Sequence, residues 1–234
     1  GSEMCIRDSV LTDDEDESSK LNFSLSSSSA AENAGTTITL TATAEDNVNS
    51  DTKVNFTLSG DATSGTDYSV AATFVTISSG SKTASTTFTI TDDSVYEGNE
   101  TITFTSSTIT GDDGYINASA AISFTITENE SAPTVTLTSS ASSVAENGSA
   151  LTLTATLSGA TYEDVTISLS TSGTSTEGTD YGTISDITVS AGSTTGTASF
   201  TPTDDTTYEG NETAIIDISG VSGGGASESG TQQL

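Results

Sequence analysis

In Thr36-Thr-Ile-Thr-Leu-Thr-Ala-Thr-Ala44, apolar residues alternate with threonine, and this pattern is the clearest indication of the fold class. A period of two is typical of a strand with one buried and one solvent-facing side, and β-branched threonine favours strands. The same alternation occurs at Ile102 and Phe104 and at Leu151 and Leu153. No segment has a convincing helical period, so the sequence predicts an all-β protein.

The chain contains an internal repeat, since three separate motifs occur twice in the same order. The paired motifs are Ala31-Glu-Asn-Ala-Gly35 with Ala145-Glu-Asn-Gly-Ser149, Gly65-Thr-Asp-Tyr68 with Gly178-Thr-Asp-Tyr181, and Asp92-Asp-Ser-Val-Tyr-Glu-Gly-Asn-Glu-Thr101 with Asp204-Asp-Thr-Thr-Tyr-Glu-Gly-Asn-Glu-Thr213. Their spacing of about 112–115 residues is the size of one immunoglobulin-like sandwich.

Seven strands are predicted in the first repeat, which we place at residues 20–131. They lie near 21–26, 36–44, 53–59, 72–77, 83–91, 100–108 and 119–127. Short alternating strands separated by turns predict a two-sheet, immunoglobulin-like β-sandwich. A short link with Pro133 leads to the second repeat, 133–234, which is expected to be truncated and to lack its last strand. Residues 10–19 are interpreted as the tail of a preceding repeat, and residues 1–9 as a non-native leader.

Composition excludes several functions. The 234 residues carry 33 Asp and Glu against 4 Lys and Arg, a formal net charge of −29. We therefore expect no nucleic-acid partner and no docking on anionic membranes. No apolar run approaches the roughly 20 residues of a membrane span, so no direct membrane insertion is expected. The chain has no His and a single Cys, which argues against zinc and thiolate metal sites.

The recurring acids are predicted to meet at one end of each sandwich. Successive strands run in opposite directions, so alternate loops and the exit of the last strand share an end. The residues placed there in the first repeat are the acids Glu32, Asp67, Asp92, Asp93, Glu97 and Glu100, followed by Glu128, the amide Asn129 and Glu130. The second repeat contributes Glu146, Asp180, Asp204, Asp205, Glu209 and Glu212, and the preceding tail contributes Asp13, Asp14 and Glu15.

A cluster of carboxylates raises its own pKa values or separates its loops unless a cation neutralises it. Oxygen ligands on flexible loops suit Ca²⁺ better than Mg²⁺, so calcium is the predicted cofactor. The other interpretation is that the acids only keep the protein in solution, which we prefer for scattered acids such as Glu45 and Asp46. Tyr96 and Tyr208 are expected to pack at a corner of the sandwich, and Gly98 and Gly210 to be turn residues.

These motifs, with the acidic close after the last strand, resemble the Calx-beta family, which occurs in sodium–calcium exchangers and in bacterial surface proteins. The resemblance implies that the acids of the first repeat named above hold calcium, together with the backbone carbonyl of Val95. Ser94, Gly98 and Asn129 stand where the family often has acids.

The expected function is that of a structural or adhesive module in a large extracellular or cell-surface protein, bacterial in origin, with calcium at the junctions between repeats. Its expected partners are calcium ions and neighbouring repeats, with host or matrix proteins or polysaccharides as candidates. Two alternatives remain open, namely a calcium-sensing regulatory domain and a sandwich that binds carbohydrate or protein. Enzymatic activity is not expected, because glycosidase chemistry needs two carboxylates across a substrate cleft.

Overall fold

The computed structural model describes residues 21–111 and 120–234 and is built from β-strands, with one 3₁₀ turn at Glu32–Ala34. This confirms the prediction of an all-β fold. The strands are β1 (Leu21–Leu25), β2 (Ser29–Ala31), β3 (Thr37–Ala44), β4 (Thr52–Ser59), β5 (Tyr68–Val70), β6 (Phe74–Ile77), β7 (Thr83–Ile90), β8 (Val95–Tyr96), β9 (Glu100–Thr110), β10 (Ala121–Thr127), β11 (Thr134–Ser139), β12 (Leu151–Leu157), β13 (Ala160–Thr161), β14 (Val165–Gly173), β15 (Ile187–Val189), β16 (Thr195–Phe200), β17 (Ala214–Ser222) and β18 (Ser227–Glu228).

The first sandwich consists of two sheets with strand orders β1-β3-β7-β5 and β2-β10-β9-β4-β6. The register of β3 against β7 pairs Ile38 with Phe88, which directs both side chains to the same face. The short strands β2, β5 and β8 are additions to the predicted set, and the seven predicted strands correspond to β1, β3, β4, β6, β7, β9 and β10.

The core of the first sandwich contains a cluster of aromatic rings among its aliphatic side chains. Phe88 on β7 contacts Phe104 on β9 and Phe124 on β10, with ring centroids 5.0 and 5.2 Å apart. These contacts join the two sheets, and all three rings are buried. Full burial of a large apolar side chain contributes roughly 1.5–3 kcal/mol, so these rings contribute much of the stability of the first sandwich.

The second sandwich has sheets of order β16-β12-β11-β18 and β15-β14-β17. Its core is aliphatic and includes Val135, Leu153, Ile167 and Ile187. Near the end of the chain, β18 pairs in parallel with the start of β11. Leu234 exchanges two backbone hydrogen bonds with Ile216 on β17.

The chain divides into two compact units whose boundary does not follow the repeat. Of the described residues, the first unit contains 21–29, 36–90, 101–111 and 120–124, and the second contains 30–35, 91–100 and 125–234. The second unit therefore holds the 3₁₀ turn, β8 and the segment after β10. Within it, β8 pairs in parallel with β13.

Candidate functional site

A cluster of carboxylates lies in the second unit, where three loop segments meet. We call the residues Glu32, Asp92, Asp93, Glu97, Glu128 and Glu130 the first acidic cluster. The 3₁₀ turn places Glu32, and Gly35 ends the turn with a φ of 55°, which favours glycine. The loop between β7 and β9 supplies residues 92–97, and the exit of β10 supplies residues 128–130.

Carboxylate oxygens of this cluster approach one another in two groups of three. Glu32 joins Glu128 and Glu130 in one group, and Asp93 and Glu97 in the other, with the chosen oxygens within 4.8 Å of one another. Glu32 belongs to both groups and is only 4% exposed. A buried carboxylate between two acidic groups is therefore the centre of the cluster.

Glu128 fixes the backbone of the cluster by accepting four hydrogen bonds. Its Oε2 accepts from the N–H groups of Glu97 at 2.6 Å and Gly98 at 2.8 Å. Its Oε1 accepts from the N–H groups of Asn129 at 2.8 Å and Glu130 at 2.9 Å. Burial opposes ionisation of Glu128, but the hydrogen bonds from Glu130, Glu97 and Gly98 outweigh it, and the pKa of Glu128 is lowered. Glu128 therefore carries a negative charge that the backbone stabilises.

The pKa values of Glu32 and Glu130 are shifted in the opposite direction, upward. Burial, followed by the charges of Glu128, Glu97, Asp93 and Glu130, raises the pKa of Glu32 from 4.5 to about 7. Contact with the Glu128 carboxyl, then burial and nearby charges including Asp92, raise the pKa of Glu130. One oxygen of Glu130, Oε2, is buried without a hydrogen-bond partner among the described residues. Near pH 7 the cluster therefore favours any added positive charge.

The other residues predicted for the first site occupy distinct positions. Asp93 accepts a hydrogen bond from Val95 N at 2.7 Å, and Val95 itself lies in β8, paired with Ala160. Asn129 is exposed and donates to Glu130 Oε1 at 2.9 Å. Glu100 is half-buried at the start of β9.

Asp67 lies in the first unit, where it is 3% exposed and its Oδ2 accepts a hydrogen bond from Thr63 N. Asp180, its counterpart in the second repeat, accepts in the same way from Thr176 N at 2.6 Å. The Gly-Thr-Asp-Tyr motif therefore folds into the same turn twice, with its acid held by backbone N–H groups.

The second repeat has a looser and more exposed set of acids, which we call the second acidic cluster: Glu146, Asp180, Asp205, Glu209 and Glu212. Oxygens of Asp180, Glu209 and Glu212 lie within 4.8 Å of one another. Slight desolvation and the charges of Asp180 and its neighbours raise the pKa values of Glu209 and Glu212, although both are exposed. Glu146, Asp180, Glu209 and Glu212 line an open groove of about 1150 Å³, together with apolar side chains that include Tyr181, Phe200 and Ile216.

Asp204 is the remaining predicted acid of the second repeat, and it is exposed in the loop before Asp205. The acids Asp13, Asp14 and Glu15, predicted from the preceding tail, lie outside the described residues.

One prediction about the loops is wrong and another is confirmed. Tyr208 does not pack at a corner, since its side chain is 96% exposed, because no element of the described chain covers it. Tyr96 is half-buried. Gly98 and Gly210 have φ values of 81° and 82°, which confirms that they are turn residues.

Asp61 is a residue that the sequence pattern did not reveal. Its Oδ1 accepts hydrogen bonds from both the N–H and the hydroxyl of Thr101, each at 2.6 Å, and these bonds lower the pKa of Asp61. The bonds anchor the start of β9 beside Glu100. The repeat hides this role, because Thr174 bonds Thr213 in the corresponding place.

Comparison with known proteins gives a family match over nearly the whole chain. The model of the Calx-beta domain matches residues 5–127 and 128–231. Solved structures that resemble the chain include CBD12 from CALX1.2, at 15% identity and a TM-score of 0.40, and calcium binding domain CBD12 of CALX1.1, at 14% and 0.39; each match covers 86% of this chain and 80% of the other. The YadV chaperone matches at 10% identity and a TM-score of 0.26, over 84% of this chain and 92% of the chaperone. No curated protein shows a significant match.

Proposed function

We propose that this chain, which belongs to the Calx-beta family, binds calcium at the first acidic cluster and serves as a structural module of a larger protein. The observation that carries the proposal is the buried Glu32 carboxylate between two groups of acids. Burying negative charge without a counter-charge is costly, and a divalent cation removes that cost.

The donor set fits calcium. The first acidic cluster offers oxygen atoms alone, which suit a hard cation, and one of them, Glu130 Oε2, is buried without a partner among the described residues. In the described part of the chain one ion pair between a lysine and a carboxylate occurs, Lys82 with Asp46 at 3.5 Å. This pair lies outside the first acidic cluster. Glu32, Asp93, Glu97 and Glu130 are the side chains that would hold the ion, while Glu128 orients the loop through its four backbone hydrogen bonds. A bound ion would supply the positive charge that joins the three loop segments.

The proposed role in the whole protein is to stiffen an array of repeats. The first acidic cluster includes residues 128–130, from which the chain continues through Pro133 into β11. Ion binding that orders these residues would limit the conformations of the link. A ligand that binds only the folded state also stabilises it by mass action. We place the parent protein at a cell surface or outside the cell, where calcium reaches millimolar concentrations and weak sites are filled. Among the described residues no helix has the length and apolar character that a membrane span requires.

Calorimetric titration with calcium, paired with thermal melts in calcium and in chelator, tests this proposal. We expect calcium to raise the melting temperature of the wild type and to bind much more weakly to the double variant Asp93→Asn with Glu97→Gln. The matched control is Glu45→Gln with Asp46→Asn, which removes two exposed acids outside the cluster. If calcium leaves the melting temperature of the wild type unchanged, or if the two double variants behave alike, the proposal fails. Affinity near millimolar supports a structural role, whereas sub-micromolar affinity argues for a calcium sensor instead.

A further inference from the structure

The second repeat carries an asparagine–glycine pair that the first repeat lacks. The motif Ala145-Glu-Asn-Gly-Ser149 places Gly148 directly after Asn147. At the same position in the first repeat, Asn33 is followed by Ala34. No other asparagine in the sequence is followed by glycine. Glycine has no side chain to shield its backbone nitrogen, so an asparagine that precedes glycine closes a succinimide ring more readily than one that precedes any other residue.

Asn147 lies at the surface in a tight turn. Gly148 N donates to Ala145 O at 2.8 Å and closes the turn, and Asn147 is exposed. Among the described residues, the side-chain amide of Asn147 has no hydrogen-bond partner. A single exposed hydrogen bond restrains Gly148 N for only part of the time, which slows its attack by roughly two- to tenfold. The amide group and the attacking nitrogen are therefore both accessible in the folded chain.

The exposure of Asn147 is a property of its position in the repeat. Asn33 occupies this position in the first sandwich, within the 3₁₀ turn that follows β2, and it is exposed as well. There β2 pairs with β10 in a sheet, so the neighbouring strands are in place and still leave the asparagine uncovered. Asn33 and Asn147 therefore differ in the residue that follows them rather than in their access to water.

Packing explains why glycine follows Asn147. A Cβ atom at Gly148 would lie 2.7 Å from Cγ2 of Val144 and 2.8 Å from Ala145 O. Contacts this short are repulsive, and the second one involves the backbone, so a larger residue would displace the turn. The turn thus favours the one residue that makes Asn147 reactive.

We propose that Asn147 is a site of spontaneous deamidation. Gly148 N attacks Cγ of Asn147 and gives up its proton, the new C–N bond closes a five-membered succinimide, and the side-chain nitrogen leaves as ammonia. Water then adds to one of the two ring carbonyls and breaks its bond to nitrogen, which leaves aspartate or isoaspartate at position 147. The net change is the hydrolysis of one amide, so water is the only co-reactant.

Deamidation adds a negative charge beside the second acidic cluster. Asn147 follows Glu146, which is a member of that cluster. Slight desolvation and the charge of Asp180, followed by weaker contributions that include Glu146, raise the pKa of Glu209, so the charge of Glu146 acts across the cluster. A carboxylate at position 147 extends this negative field, and isoaspartate also lengthens the main chain of the turn by one carbon atom. The loop therefore changes irreversibly as the protein ages.

Incubation of the purified protein at pH 8, followed by peptide mapping in a mass spectrometer, tests the proposal. We expect Asn147 to gain the mass that marks the change from amide to acid at least about tenfold faster than Asn33, the control within each sample. An isoaspartyl methyltransferase assay should detect isoaspartate at position 147. On an anion-exchange column the product should elute with the Asn147→Asp variant, which carries the same added charge. The reaction uses neither calcium nor the first acidic cluster, so its outcome is independent of the calcium titration.

Two variants and a peptide complete the test. Asn147→Gln cannot close a five-membered ring and should abolish the mass change at this position. Ala34→Gly transfers the reactive pair to the first repeat and should accelerate the conversion of Asn33. A synthetic peptide of residues 143–151 gives the rate without the folded turn, and the folded protein should react within about tenfold of that rate. Equal rates at Asn33 and Asn147, or a folded protein that reacts more slowly than this limit, would overturn the proposal.

Discussion

Replacing Glu32 with glutamine should change how stability depends on pH, with a sign that is unusual for a carboxylate. The pKa of Glu32 is raised from 4.5 to about 7 in the folded chain, so the folded state binds a proton more tightly than the unfolded state does. The stability that this proton contributes is fully present below pH 4.5 and is lost as the pH rises through 7. In chelator, the wild type should therefore lose stability between pH 5 and pH 8.

The size of this effect follows from the two pKa values. A pKa difference of one corresponds to about 1.4 kcal/mol, and integration from pH 5 to pH 8 gives a loss of roughly 2–3 kcal/mol from Glu32. With only 4% of its surface exposed, solvent screens Glu32 little. Glutamine keeps the shape but cannot ionise, so Glu32→Gln should remove this part of the pH dependence. A buried amide without partners costs about 1–3 kcal/mol, but that cost is the same at both pH values and cancels.

Urea unfolding at pH 5 and pH 8 in chelator, followed by circular dichroism, provides the measurement. The control is Glu45→Gln. Glu45 follows the end of β3, whereas Glu32 precedes the start of that strand. The stability of the Glu45→Gln protein should depend on pH as that of the wild type does. At pH 8, added calcium should stabilise Glu32→Gln less than it stabilises the wild type, because the variant lacks one ligand of the ion. A Glu32→Gln protein that keeps the full pH dependence of the wild type in chelator would refute the electrostatic account of the cluster.

Three other substitutions have definite outcomes. Glu128→Ala removes the acceptor of four backbone hydrogen bonds. We expect the free energy of unfolding in urea to fall by about 3 kcal/mol and calcium to bind more weakly in calorimetry. A fall of less than about 0.5 kcal/mol, the lower end for a single hydrogen bond, would contradict the anchoring role. In Gly98→Ala the added methyl group meets no neighbouring atom, but alanine is forced to a φ of 81°, so the free energy of unfolding should fall by about 1 kcal/mol. The control is Gly220→Ala, whose methyl group also meets no atom within 4 Å and whose φ is not positive. It should lower the stability less in the same thermal melt. Phe124→Ala should cost about 3–5 kcal/mol and lower the unfolding transition of the first unit; a change of similar size in a separate transition of the second unit would show that the two units do not unfold independently.

Much of the fold was predictable because its signals are local. The alternation in β3 and β7 depends only on the two faces of a strand, and Ile38 and Phe88 are buried as the pattern predicts. The turn glycines were predictable for the same reason, since a positive φ at Gly98 and Gly210 is a property of the residue itself. The short strands β2, β5 and β8 were not predictable, because two or three residues carry no period.

The candidate site was predictable in membership but not in its electrostatics. The repeat showed that Glu32, Asp93 and Glu97 recur in loops at one end of a sandwich. The exit of the last strand adds Glu128, and the structure brings these four together. The repeat did not show that Glu128 binds four N–H groups while Glu32 is buried among charges, because both depend on backbone atoms from other segments. The same limit explains Tyr208, whose repeat partner Tyr96 lies against Gly225 while Tyr208 is exposed.

The all-β fold, the repeat and the acids that share a loop cluster could be predicted from the sequence, because periodicity and recurrence are properties of the residue order. Which carboxylate is buried, which is anchored by the backbone and which loop pairs with a strand became visible only in three dimensions. Burial, hydrogen bonding and pairing are set by groups that are distant in sequence and adjacent in space. In this protein, those contacts distinguish a candidate calcium site from an ordinary acidic surface.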